Sequence, residues 1–238
     1  MEEIGVAAHE MFEIGGFIVT NTNLWVFIIV TILAVSLTFT FSKASIIPGK
    51  LQNFFEWIME TFIGFIDSIT GSRKKTLEIF PLAMTIFLLV WCSNLLELVP
   101  GLGLLPVLRS PSSDLNFTIA LALISVVFIN YSAIKKLGLF SYLGKFFNFT
   151  NPLMFFVGIL EFIGEFTRVI SLAMRLFGNL FAGEILLIVV STGISWMMAY
   201  LVPLPFLALE VLVGFIQAFI FSSLVIVFYS TATEHSHG

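Results

Sequence analysis

Runs of about 20 consecutive apolar residues, the length that crosses roughly 30 Å of hydrocarbon, recur along the chain and are separated by short polar stretches. They predict membrane-crossing helices at about 24–41, 77–99 and 115–134, and a last one at about 205–229 after the Pro203/Pro205 turn. Between Pro152 and about residue 193 lies a further apolar stretch too long for one perpendicular crossing at about 1.5 Å per residue, so it must tilt, bend or lie partly in the membrane plane. Residues 48–71 follow another pattern. Asn53, Glu56, Glu60, Gly64 and Asp67 return at helical spacing on one face, while Phe54, Phe55, Ile58, Phe62, Phe65, Ile66 and Ile69 fill much of the rest. That is an amphipathic helix at the membrane interface; a sixth crossing is the alternative, made costly by charges at three depths.

Composition agrees with this pattern. Hydrophobic residues make up 58% of the chain and charged residues 11%, with a mean hydropathy of +1.06, whereas soluble domains are about 25% charged. The expected fold is an all-α integral membrane protein with five crossing helices, the last two long and tilted, plus one in-plane amphipathic helix. No linker or repeat divides the chain, so 1–238 reads as a single membrane domain: an outer segment 1–23, a first span 24–41, an interfacial helix 48–71, a helical hairpin 77–134, a long tilted hairpin 152–229 and an inner tail 230–238. Cys92 is the single cysteine, which excludes an intrachain disulfide.

The placement of basic residues sets the expected topology. Lys43, Lys50, Arg73, Lys74 and Lys75 lie between the first and second spans, and Lys135, Lys136 and Lys145 between the third and fourth, so both loops should be cytoplasmic. The N-terminus is then outside and the C-terminus inside, with Arg109 alone opposing the rule. Residues 1–23 carry four glutamates and no Lys or Arg, unlike the basic start of a signal peptide.

The chemistry concentrates in the long fourth segment. At 100° per residue, Glu161, Glu165, Arg168, Arg175 and Asn179 project within an arc of about 80°. A charge at the centre of a membrane helix costs about 2.5–3.5 kcal/mol on insertion scales, so this stripe should face water or protein. Glu161 or Glu165 can pair with Arg168 at helical spacing and serve only to hold the bundle. Arg175 has no such escape: it is about 10–15 Å along the helix from Arg168 and Glu165, and no carboxylate within two turns can neutralise it. A guanidinium holds its proton throughout, so it attracts carboxylates and repels passing cations rather than relaying protons. Asn179 lies one turn further on the same face. Glu184 is turned about 140° away from Glu161, off the Arg175 face, and could approach the last span, where Glu210 and Gln217 are seven residues apart and share a face. Helix packing alone would also account for the two amides.

Several other features carry bland readings. "GSRKKT", Gly71 to Thr76, lacks the second glycine of a phosphate-binding loop and is a basic surface loop. His235 and His237 are too few for a metal site, His9 is solvated, and the N-x-T patterns at Asn116 and Asn148 have no secretory context.

The stretch "SLAMRLFGNLFAGE", Ser171 to Glu184, resembles the signature of subunit a of the rotary F-type ATP synthase. So, in the same order, do "SNLLELVP" from Ser93, "DLNFTIALAL" from Asp114 and "FIQAFIFSSL" from Phe215 onward in the last span. The resemblance covers most of the chain from about residue 77; the N-terminal quarter matches only in architecture. It implies a membrane stator that supplies two aqueous half-channels against a c-ring, alongside the subunit b peripheral stalk and the other synthase subunits, in a lipid membrane. The family's arginine maps to Arg175, which would keep ions from leaking between half-channels and favour deprotonation of the rotor carboxylate. Asn179, Gln217, Glu184 and Glu210 map to its ion path; Glu210 is histidine in some members, a departure that leaves its proton affinity open. Glu161, Glu165 and Asn94 resemble an inner access route, and Glu97 and Asp114 the outer entrance. The chain would not be an enzyme by itself, would need no cofactor and would bind no nucleic acid. A bacterial inner membrane fits best. A self-contained secondary transporter is the rival, but such folds usually show paired interrupted helices and only one long polar segment is present. A passive anchor would not require Arg175.

Overall fold

A computed structural model describes residues 10–14, 17–42, 45, 47–96, 110–146, 152–192 and 203–234. Helices fall where the apolar runs predict them. They are α1 (Asn21–Ser42), α2 (Lys50–Thr70), α3 (Arg73–Leu95), α4 (Leu115–Leu137), α5 (Leu139–Phe146), α6 (Pro152–Thr192) and α7 (Pro203–Glu234). Four helical stretches, α1, α3, α4 and Leu204–Thr233 of α7, are long and apolar enough to cross a membrane. At 41 residues, α6 is about 60 Å long, twice the hydrocarbon thickness.

The core forms where α3 packs on α7 and α4 on α6. In α7 the buried positions Glu210, Gly214, Gln217, Phe221, Val225 and Tyr229 recur every three or four residues, one stripe running the length of the helix. Ile79, Ile86 and Val90 of α3 and Leu172, Leu176 and Leu180 of α6 complete the buried interior. Fully burying each such side chain contributes about 1.5–3 kcal/mol in water, but within lipid the gain comes from close packing rather than from leaving water.

Helix α2 is amphipathic, as its sequence pattern predicts. Phe62 stacks on Phe87 of α3 with ring centroids 5.2 Å apart, and Phe65 meets Phe219 of α7 at 4.8 Å. Asn53, Glu60 and Gly64 are exposed on its other side, and Leu51, Phe54 and Trp57 are exposed along its first half. The helix stops at Gly71, whose φ of 62° only glycine adopts without strain; its N–H bonds the Asp67 carbonyl at 3.0 Å. Helix α1 has only Asn21, Thr22 and Ile29 buried and stands at the edge of the bundle with Phe27, Ile32, Val35 and Phe39 outward.

Two elements were not anticipated. Residues 10–20, expected only as an outer polar segment, contain an antiparallel pair, β1 (Glu10–Ile14) and β2 (Phe17–Thr20), in the register Glu10↔Thr20 and Ile14↔Phe17. Gly15 and Gly16 between two apolar runs are the hairpin signal that went unread. Helix α5, eight residues long, fills the connection that follows Gly138.

Candidate functional site

Three contacts fix how α6 and α7 run past one another, and all three involve residues named above. At one end Arg168 of α6 lies over the ring of Phe228, 4.7 Å from guanidinium carbon to centroid. Midway, Asn179 Nδ2 donates to Gln217 Oε1 at 2.9 Å. Toward the far end, Gly183 faces the carboxyl group of Glu210. Antiparallel pairing thus carries the α7 sequence Glu210, Gln217, Phe228 past the α6 sequence Gly183, Asn179, Arg168.

Gly183 is required by this packing. A Cβ built there would lie only 2.3 Å from Glu210 Oε1, so no larger residue fits while that carboxyl group stays in place. Gly214, one turn along α7, does the same for α3: a Cβ would lie 2.9 Å from Asn94 Cβ, and Asn94 Nδ2 donates to the Gly214 carbonyl at 2.9 Å. Small residues let helices approach closely in membranes, and here they admit polar side chains. Glu184 and Glu210 are each 7% exposed, and Gln217 is 2% exposed. Beside them the turn Pro111–Ser113 packs against α6, with Ser110, Ser112 and Ser113 fully buried.

This end of the pair holds unusually many unmet polar atoms. Glu184 Oε2, Gln217 Nε2, Asn94 Oδ1 and Ser112 Oγ are buried without a hydrogen-bond partner among the described residues. An unbonded buried polar group costs about 1–3 kcal/mol, and such groups are few in native proteins unless water or a ligand completes them. The cluster is therefore suited to ordered water and to passing a proton between carboxyl groups and water.

At the Arg168 end the charges meet one another. Arg168 Nη1 bonds Glu165 Oε1 at 2.8 Å, the pairing that helical spacing allowed. Tyr142 of α5 is buried alongside, and burial first, then the nearby Glu165 and Glu161, push its phenol up to about 12. From here a groove of about 360 Å³ follows α6 past Gly164, Thr167 and Ser171 to Arg175, with Leu224 and Phe228 of α7 as its other wall.

Arg175 lies between the two ends. Its side chain is exposed and forms no ion pair or hydrogen bond among the described residues. Ser171, Asn179 and Ala182, at helical spacing on the same side of α6, are exposed too, so the guanidinium sits on an outward face of small and polar residues.

One expectation needs correcting. Asn94 does not accompany Glu161 and Glu165; its contact with Gly214 places it between Glu210 and Gln217, about 20 Å along α7 from Phe228. Asp114 is a buried N-cap: Oδ1 accepts from the Asn116 N–H at 2.9 Å and Oδ2 from Thr22 Oγ1 at 2.8 Å, which ties α1 to the start of α4. Glu97 lies outside the described residues. Sequence reasoning missed Gly183 and Gly214, whose only signal is a small residue beside or between polar ones. It also missed Tyr142, and the linkage in which Tyr229 donates to Glu78 at 2.5 Å while Lys136 pairs with the same carboxylate at 2.6 Å.

Together these features define a multi-pass helical membrane protein in which one helical pair carries an unpaired guanidinium between a buried carboxyl cluster and an ion-paired groove. The model of the family described as ATP synthase A chain matches residues 23–230, and the chain belongs to that family. It is similar to the ATP synthase subunit a of Campylobacter concisus, 36% identical over 202 residues that cover 82% of this chain and 83% of the relative. It is likewise similar to the subunit a of Moorella thermoacetica, 32% identical over 228 residues covering 96% and 97%, and to that of Syntrophobacter fumaroxidans, 38% identical over 193 residues covering 80% and 75%.

Proposed function

We propose that this chain is the membrane stator of an F-type ATP synthase and carries protons to and from a rotor ring through two half-channels that end on either side of Arg175. The exposed Arg175, which has no ion-pair or hydrogen-bond partner among the described residues, is the observation that carries this reading. In a membrane such a charge needs an anionic partner, and the described residues offer none. A rotor carboxylate passing over that face meets the need without a permanent ion pair, which would stall rotation.

The chemistry follows from charge. Near the guanidinium the ionised form of an arriving carboxylic acid is favoured, so it releases its proton to water in the adjoining half-channel. Once past Arg175, the carboxylate takes a proton from the other half-channel and can enter the lipid neutral. The guanidinium cannot titrate, so a proton meets a fixed positive charge between the two routes. Glu184, Glu210, Gln217, Asn94 and the buried serines line the route at the Gly183 end, with Asn179 joining Gln217 to the Arg175 face. Glu161, Glu165 and Arg168 head the groove at the other end. The stator makes no covalent bond itself and needs no cofactor; its partners are the rotor ring, the peripheral stalk and the remaining synthase subunits. The basic loops support an N-terminus outside and a C-terminus in the cytoplasm, read here with five crossings, α2 in the plane of the inner interface and a bacterial inner membrane.

The test is ATP-driven proton uptake and ATP hydrolysis in membranes carrying Arg175→Ala, beside wild type and a matched Na⁺ uptake assay. Coupled pumping should vanish while the complex still assembles. Unchanged pumping would make Arg175 structural, and uptake of Na⁺ in place of protons by the wild type would overturn the choice of ion.

A further inference from the structure

At the end of the bundle where α3 begins and α4 and α7 finish lies a second cavity, of about 630 Å³, far from Arg175 in sequence and unused by the stator mechanism. Four lysines line it, Lys74 and Lys75 from α3 and Lys135 and Lys136 from α4, against one carboxylate, Glu78. That carboxylate is already engaged by Lys136 and Tyr229. Lys74 and Lys135 form no ion pair among the described residues and are exposed. The cavity thus keeps an excess of positive charge.

Local folding does not call for this charge. Lysines in the last turn of α4 suit the helix dipole, but Lys74 and Lys75 stand in the first turn of α3, where cations are unfavourable. The need for basic cytoplasmic loops explains lysines somewhere in each loop; it does not explain why those from two loops converge on one cavity. Beyond Phe128 and Tyr131, which line the cavity, an exposed apolar stripe continues along α4. Ile124, Val127 and Tyr131 are exposed and spaced three and four residues apart, and Lys135 ends the same stripe one turn beyond Tyr131.

We propose that this cavity binds the phosphate of an anionic phospholipid headgroup such as phosphatidylglycerol, with an acyl chain lying along Ile124, Val127 and Tyr131. Basic pockets between membrane helices at the interface suit such headgroups, and each nearby lysine contributes about 1 kcal/mol of attraction to an anionic surface. A soluble phosphate shares the headgroup chemistry but would not use the apolar stripe.

The test uses the intact synthase in nanodiscs containing phosphatidylglycerol or phosphatidylcholine that carries a photoreactive group in the acyl chain. Crosslinked residues are mapped by peptide mass spectrometry. The glycerol lipid should label the Ile124 to Tyr131 stripe about tenfold more than the choline lipid, a preference lost in a Lys74→Gln, Lys75→Gln, Lys135→Gln variant. A control with Lys43, Lys50 and Lys145 changed to Gln should keep it. Equal labelling by the two lipids in wild type, which needs no variant to fold, overturns the proposal. So does a preference that survives the pocket substitutions. Inorganic phosphate should leave labelling unchanged; if it abolishes the preference, the site takes a free anion and the lipid assignment fails.

Discussion

At the Arg168 end of the α6 and α7 pair, Glu165 and Arg168 meet at 2.8 Å and the guanidinium lies over Phe228; at the Gly183 end, Glu184 and Glu210 are buried beside polar atoms with no partner. Both ends carry carboxylates and lie along the same two helices. The difference is in what completes them. The first neutralises its charge with groups of the chain itself, in a partly buried pair. The second leaves four buried polar atoms without a partner among the described residues, a setting that suits ordered water. One end is therefore suited to hold a shape, the other to exchange protons.

The sharpest break between the two ends is expected from removing single charges. Glu184→Gln and Glu210→Gln keep the side-chain size and should each lower ATP-driven proton pumping by about 10²-fold, the usual worth of a positioned proton donor or acceptor. Glu165→Gln should lower it by less than about tenfold, because Arg168 keeps its place over Phe228. Initial pumping rates in vesicles, normalised to assembled complex, decide the matter. Equal losses at both ends would mean that the ion-paired end exchanges protons too.

A smaller effect isolates geometry from charge. Gly183→Ala puts a methyl group where Glu210 Oε1 and Oε2 now lie, 2.3 and 2.4 Å from the new carbon. The carboxyl group is the tip of a flexible side chain, so it can swing aside, and the fold should lose no more than about 1–3 kcal/mol. Pumping should fall about tenfold because the carboxyl group has moved. Adding Glu210→Asp, one methylene shorter, should recover part of that loss. If Gly183→Ala pumps as well as wild type, the close approach of Glu210 to α6 has no functional weight.

How much of this was visible in the sequence depended on the kind of interaction. Every long helix was legible, because a 20-residue apolar run in a membrane has few alternatives, and so was the pairing of Glu165 with Arg168, which is local and set by helical spacing. The shared face of Glu210 and Gln217 was legible for the same reason. Contacts between helices were not. The partner of Asn94 is 120 residues away at Gly214, and no periodicity within α3 points to it. Gly183 and Gly214 matter through the side chain they leave room for, a property of the packed pair rather than of either helix. The β1 and β2 hairpin and α5 were missed because short elements give weak signals beside long apolar runs.

The smallest expected effect probes the ion-paired end from outside the membrane spans. Tyr142 in α5 has its phenol held neutral up to about 12, by burial first and then by Glu165 and Glu161, with Arg168 acting in the opposite sense. Its ordinary value is about 10. A group whose folded value is raised contributes stability that is fully present below about pH 10 and is lost as pH rises through about 12. Thermal melts of the detergent-solubilised complex across that window should show a steeper decline for wild type than for Tyr142→Phe, which has no proton to lose. Glu165→Gln removes the larger of the two neighbouring carboxylate contributions, so it should bring the phenolate absorbance transition of Tyr142 to lower pH. Glu184→Gln, at the other end of α6, should leave that transition where it is. If both glutamine variants move it equally, the two ends are electrostatically coupled along the helix, and the division between a shape-holding end and a proton-exchanging end fails.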